Sequence, residues 1–244
     1  MTDRTVLALT GDDRETFLQG LITNDVAQAR DGIVYAALLT PQGKFIADFF
    51  VVGTGDQLLI DVASGFAAPL FQRLNMYRLR ADVQIAETPL IVSRGTGAAP
   101  EGALQDPRHP ALGWRAYGAK DHSQDADWDA LRVAHAIPKT GIELTQDSYI
   151  LEMGFEALNG VDFRKGCYVG QEIVARMKHK TALRKGLARV AIDGAAKPGD
   201  PITAGGKAIG TLHTVSGDKG LAYLRFDRAT DDMQAGDAQL RIDD

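Results

Sequence analysis

Cysteine is nearly absent from this sequence: Cys167 is the single one in 244 residues. One thiol excludes an internal disulfide, and it excludes a self-contained zinc or iron–sulfur site, which needs several ligands. His109, His122, His135, His179 and His213 show no i, i+4 pair and no HExxH spacing. No Ser-His-Asp arrangement is legible from spacing either. No apolar run approaches the roughly 20 residues of a membrane span. The opening MTDRTVLALTG mixes acid and base and lacks a signal-peptide profile. Aromatic residues make up 7% and the net charge is −5, which together argue against a dedicated nucleic-acid binder. These absences predict a soluble cytoplasmic protein with neither a membrane nor a nucleic acid as direct partner.

What is present reads as ordinary globular matter, with 45% hydrophobic and 24% charged residues. Residues 5–11, 32–40, 44–52, 57–63 and 82–87 have strand character. PQGK forms a hairpin turn between the second and third of these strands. DDRETFLQGLI and SGFAAPLFQRLNMYRLR have helical spacing, the latter opened by Ser64. The order β-α-β-β-β-α-β predicts an antiparallel α+β layer. PLIVS and LGWRAYG are two further strands, separated by the turn-rich RGTGAAPEGALQDPRHPA. That glycine-rich stretch does not open a helix, so it reads as a linker and not as a phosphate loop. Residues 127–137 predict a helix, 138–163 resist assignment, and GQEIVARMKHK predicts another helix. Short apolar runs between Gly, Pro and Asp turns fill the chain from residue 187 onward, the pattern of a small β-barrel.

The chemistry concentrates in RKGCYVGQE, residues 164–172. Free cysteine is usually a buried structural residue. Here Gly166 and Gly170 bracket Cys167, so the backbone can turn sharply or approach a ligand. The thiol precedes a predicted helix N-terminus and follows Lys165, and both positive ends favour a thiolate. Such a thiolate suits covalent chemistry or metal ligation shared with a partner. The next stretch, ARMKHKTALRK, carries Arg176, Lys178, His179, Lys180, Arg184 and Lys185, a basic island in an acidic chain. It is either a solvated helix face or a site for an anion. Trp128 is either a half-buried core aromatic or a platform for a flat heterocycle.

KGCYVGQE, continuing into IVAR, closely resembles the signature of the YgfZ-type folate-binding proteins, relatives of the aminomethyltransferase (T-protein) of the glycine cleavage system. TGDDRETFLQGLITND, LLTPQGKFIADFFV, MYRLRADVQI and DPRHPALGWRAY resemble further family segments. The resemblance implies a T-protein-like three-part ring around a folate channel. Its parts are an N-terminal α+β part (1–90), an interleaved second α+β part with the cysteine loop (91–184), and a C-terminal β-barrel (185–244). It implies a folate-binding accessory factor for the assembly or repair of iron–sulfur proteins, linked through its clients to tRNA modification. Its partners would be iron–sulfur assembly proteins or client enzymes. The alternative is a tetrahydrofolate-dependent aminomethyltransferase or demethylase-like transferase.

By the same resemblance, Cys167, Lys165 and Asp48 carry the chemistry. Asn24, Asp25, Tyr77, Arg78, Trp128, Tyr168, Gln171, Glu172 and Arg176 would contact tetrahydrofolate or a derivative, Arg176 and the basic island serving its anionic tail. An iron–sulfur cluster could be shared with a partner, and no metal site belongs to the chain alone. Two positions depart from the family pattern. Ala47 stands where the aminomethyltransferases carry the first of two consecutive aspartates, and Arg4 stands where some relatives carry a folate-contacting tryptophan.

Overall fold

The structure, a computed structural model, describes residues 3–179 and 182–243. The chain divides by compactness into two units, where the sequence leads one to expect three parts. The first comprises 1–126 and 156–173, the second 127–155 and 174–244. The chain therefore leaves the first unit, returns to it, and leaves again.

In the first unit, β1 (Arg4–Thr10), β2 (Ile33–Leu39), β3 (Phe45–Thr54), β4 (Gln57–Ala63) and β5 (Gln84–Glu87) form one sheet in the order β2-β3-β4-β1-β5. All its pairings are antiparallel. Helices α1 (Arg14–Gln19) and α2 (Ser64–Arg78) cover one face. Side chains of a strand alternate between faces, and the alternation holds through the middle of this sheet, with a register shift between Leu38 and Leu39. Leu7, Val34, Ala36, Ala47, Phe49, Val51, Ile60 and Val62 point into the helix-side core. Val6, Val52 and Leu59 belong to a second apolar cluster on the opposite face, together with Val92. Val92 comes from a small sheet of β6 (Ile91–Gly95), β7 (Leu104–Gln105) and β8 (Trp114–Gly118), ordered β6-β8-β7. The turn-rich linker thus contains a two-residue strand. No regular element occupies 138–163, the stretch whose sequence also resists assignment.

The second unit holds α3 (Trp128–Ala134) and a closed barrel. Its strands are β9 (Lys185–Asp193), β10 (Pro201–Ala204), β11 (Lys207–Ser216), β12 (Lys219–Arg225), β13 (Met233–Ala235) and β14 (Ala238–Ile242). Helix α3 is fastened by the buried Arg132, which pairs with Glu143 at 3.1 Å and donates to the Thr214 hydroxyl at 2.8 Å. Helix α4 (Gln171–Lys178) carries the chain across the residue boundary between the units. Among the described residues, no helix is long and apolar enough to cross a membrane.

Candidate functional site

Two features of the first unit concentrate polar chemistry, and one hairpin connects them. The first lies on the sheet face opposite the helices. Tyr35 (β2), Asp48 and Phe50 (β3) and Asp61 (β4) all point there and all are buried. The Tyr35 hydroxyl donates to Asp48 Oδ2 at 2.9 Å. Burial first, and the Asp48 carboxylate next, push the Tyr35 phenol well above its ordinary pKa, so the phenol keeps its proton and stays a donor. Ala47 points the other way, into the helix-side core. An aspartate at position 47 would therefore not have joined Asp48 on this face.

A buried ion network holds the same face together. Asp61 accepts from Arg4 Nε at 2.6 Å, Arg115 Nη2 at 2.6 Å and the Tyr117 hydroxyl at 3.0 Å. Burial alone would raise the Asp61 carboxyl, but the guanidiniums of Arg115 and Arg4 outweigh it and hold it at about 2. Arg108 pairs with Asp106 at 2.8 Å. The guanidinium carbons of Arg115, Arg108 and Arg4 lie 4.0, 4.9 and 5.5 Å from the Phe50 ring centre. The aromatic face thus shares with the aspartates the task of stabilising three desolvated cations.

The second feature is the cysteine loop. Cys167 is exposed, yet the backbone on both sides of it is fixed. Lys165 is buried, and its ammonium donates to the carbonyls of Gln19 at 2.7 Å and Ile22 at 2.5 Å. It lies 5.0 Å from the Tyr168 ring centre. Burial lowers the Lys165 amine to about 8 against the opposing pull of Asp25 and Asp162, and burial lifts the Tyr168 phenol to about 12. The sequence suggests that Lys165 acts on the thiol. In the structure its ammonium faces the last carbonyl of α1, where a cation is stabilised, and the Ile22 carbonyl just beyond it, and it positions the loop.

On the other side Gly170 has φ +85, and a Cβ there would stand 2.7 Å from the Thr40 carbonyl oxygen. Gly43 in the PQGK turn approaches Ile173 so closely that a Cβ would come within 2.8 Å of it. Only glycine permits either approach. The turn that clamps the cysteine loop therefore belongs to the β2–β3 hairpin that carries Tyr35 and Asp48.

The remaining expected residues are scattered. Asn24 is buried and donates to the carbonyls of Tyr35 at 2.9 Å and Asn159 at 2.7 Å, joining the hairpin edge to the irregular segment that leads to the cysteine loop. It also lines an open groove of about 590 Å³, together with Gln28, Pro107, Asp162 and Phe163. Asp25 caps the short 3-10 turn Val26–Arg30 by accepting from the Ala27 N–H. Tyr77 packs against the helix-side core and Arg78 donates to the Val83 carbonyl, so α2 holds both on the face away from Asp48. Gln171 opens α4 with its N–H bonded to the Tyr168 carbonyl, and Glu172 is an exposed first-turn carboxylate. Half-buried Trp128 and exposed Arg176 belong to the second unit. Lys178, His179, Arg184 and Lys185 are exposed, and Lys180 lies outside the described residues. Sequence reasoning missed Tyr35, Asp61, Arg108 and Arg115. A carboxylate inside the apolar run QLLIDVA was the available signal for Asp61.

Comparison with known proteins places this geometry among relatives. Residues 184–244 match the family model described as CAF17, C-terminal beta-barrel domain. The chain is 29% identical to the mouse iron-sulfur cluster assembly factor IBA57, mitochondrial, over 91% of this chain and 75% of the mouse protein. It is 28% identical to the human protein of the same name, with the same coverage of each chain. A Neurospora crassa homologue of that factor is 30% identical over 76% of this chain, which spans about half (51%) of its length. Among solved structures, glycine cleavage system aminomethyltransferase T from Bartonella henselae superposes with a TM-score of 0.76 at 13% identity, covering 98% of this chain and 82% of the other. The fold is accordingly that of the aminomethyltransferase T proteins, with mixed α/β content and a closed C-terminal barrel, as the motifs led one to expect. One expectation is overturned. The sequence suggested a cytoplasmic protein, whereas these relatives carry "mitochondrial" in their names and point to mitochondria.

Proposed function

We propose that this chain is an accessory factor in the assembly of iron–sulfur proteins and presents Cys167 to a partner. The observation that carries the reading is the similarity to iron–sulfur cluster assembly factors over 91% of the chain. The clamped loop agrees with it: an exposed thiol on a braced backbone can engage a macromolecular partner. Having no second cysteine, the chain supplies at most one thiolate to a cluster, and the partner supplies the others. Cells depleted of the chain are expected to lose the activity of cluster-dependent enzymes and keep that of cluster-independent ones. Equal activities in both classes would overturn the reading.

We further propose that the polar face around Asp48 takes the pterin of a tetrahydrofolate. A carboxylate accepts several hydrogen bonds, so the bond from Tyr35 is compatible with the paired N–H donors of a pterin. Tetrahydrofolate, when bound, supplies nitrogens that carry a one-carbon unit. Asp48 would bind and orient it, Tyr35 holds the Asp48 carboxylate in place, and the network beside them keeps both rigid. Asp48→Ala is expected to weaken tetrahydrofolate binding at least tenfold by calorimetry, since a desolvated charged hydrogen bond contributes about 1.5–3 kcal/mol. Undiminished binding would remove Asp48 from the site. One-carbon transfer by the purified protein, lost in the same variant, would favour the transferase reading instead.

A further inference from the structure

Immediately after α2 the chain makes a tight turn closed by the Ala81 N–H on the Arg78 carbonyl at 2.8 Å. Its first central residue is Leu79, with φ 43 and ψ −102. Those dihedrals belong to the first position of a type II′ turn, a place dominated by glycine because a Cβ is strained there. Leucine occupies it, and the residue is 88% exposed, so neither burial nor backbone preference accounts for it. Met76, one helical turn earlier, is 67% exposed. Arg73, Arg78 and Arg80 flank the two apolar residues in sequence, Arg78 and Arg80 being exposed, within a chain of net charge −5. The nearest acid in sequence, Asp82, accepts from the Gln84 amide and the Asp12 N–H. Strain kept at an exposed residue points to a task performed in a complex, and cations around an apolar tip select for acidic surroundings.

We propose that the Met76–Arg80 corner is a docking knob whose occupant is a protein presenting an apolar pocket rimmed by carboxylates. Leu79 fills the pocket, and Arg78 and Arg80 meet the rim. This goes beyond the assembly function and stands apart from both the cysteine loop and the Asp48 face.

The test uses the full chain. Leu79→Gly removes side chain and strain together, and is expected to raise the melting temperature by about 2–4 °C. Leu79→Ala removes the side chain, keeps the strain and gives no such rise. A photo-reactive leucine analogue at position 79 is expected to cross-link in cells to one protein. Arg80→Glu should cut that yield at least tenfold, and reversing a rim carboxylate of the captured protein to lysine should restore it. The proposal falls if Leu79→Gly brings no thermal gain, or if the cross-link is indifferent to Arg80. It falls equally if the label ends on a second copy of this chain, or if vesicles one-third phosphatidylserine bind the chain and release Leu79→Ala.

Discussion

Cys167→Ser is expected to leave the melting temperature within about 1 °C of wild type while failing to restore cluster-dependent enzymes in depleted cells. The two halves have separate causes. The side chain is exposed, so exchanging sulfur for oxygen removes almost no buried apolar area. Lys165 on the Gln19 and Ile22 carbonyls and Gly170 against Thr40 continue to hold the loop. What disappears is the sulfur that can attack or ligate a metal, and a serine hydroxyl does not replace it. We expect at least a tenfold loss of restored activity. Full restoration by the serine variant would show that the loop acts by its shape alone. A fall in stability would show that the thiol has a structural role that its exposure does not suggest.

Asp61→Ala is expected to destabilise the first unit by about 3–5 kcal/mol, because removing one partner of a buried ion group strands the others. Arg115 and Arg4 would face Phe50 and each other without the carboxylate that now accepts from both. Urea denaturation followed by circular dichroism reads the loss, and a midpoint unchanged from wild type would contradict the account. The pH dependence follows from the same carboxyl. Its folded pKa is lowered from 3.8 to about 2, so the stability it contributes is present above about pH 4. That contribution is lost as the pH falls through 2, because the unfolded chain binds the proton first. A depression of this size corresponds to about 2 kcal/mol. Wild type should therefore lose stability across that window more steeply than Asp61→Asn.

The strands of the first unit were legible because their apolar residues alternate and turn residues bound them. PQGK announced the β2–β3 hairpin, and the runs after residue 187 announced the barrel. Strands β7 and β13 escaped, being two and three residues long, too short for any periodicity. The cysteine loop was legible as a motif, but its mechanics were not. Lys165 reaches carbonyls 146 and 143 residues away, and no local pattern encodes such a pairing. The ion network was hidden for the same reason: Asp61 meets Arg4 and Arg115 from 57 and 54 residues away. Asp48 was legible as a residue of interest, and its strand made its direction a question of register. Tyr35 escaped because a tyrosine in an apolar strand reads as core until its hydroxyl is placed on a carboxylate.

Cluster content in a client enzyme tests the proposed assembly function most directly. Iron and acid-labile sulfide would be measured in an iron–sulfur enzyme purified from cells depleted of this chain. The account predicts a substoichiometric cluster on a normally folded enzyme, refilled when wild type is restored and left unfilled by Cys167→Ser. A full complement of iron and sulfide in the depleted cells would contradict it.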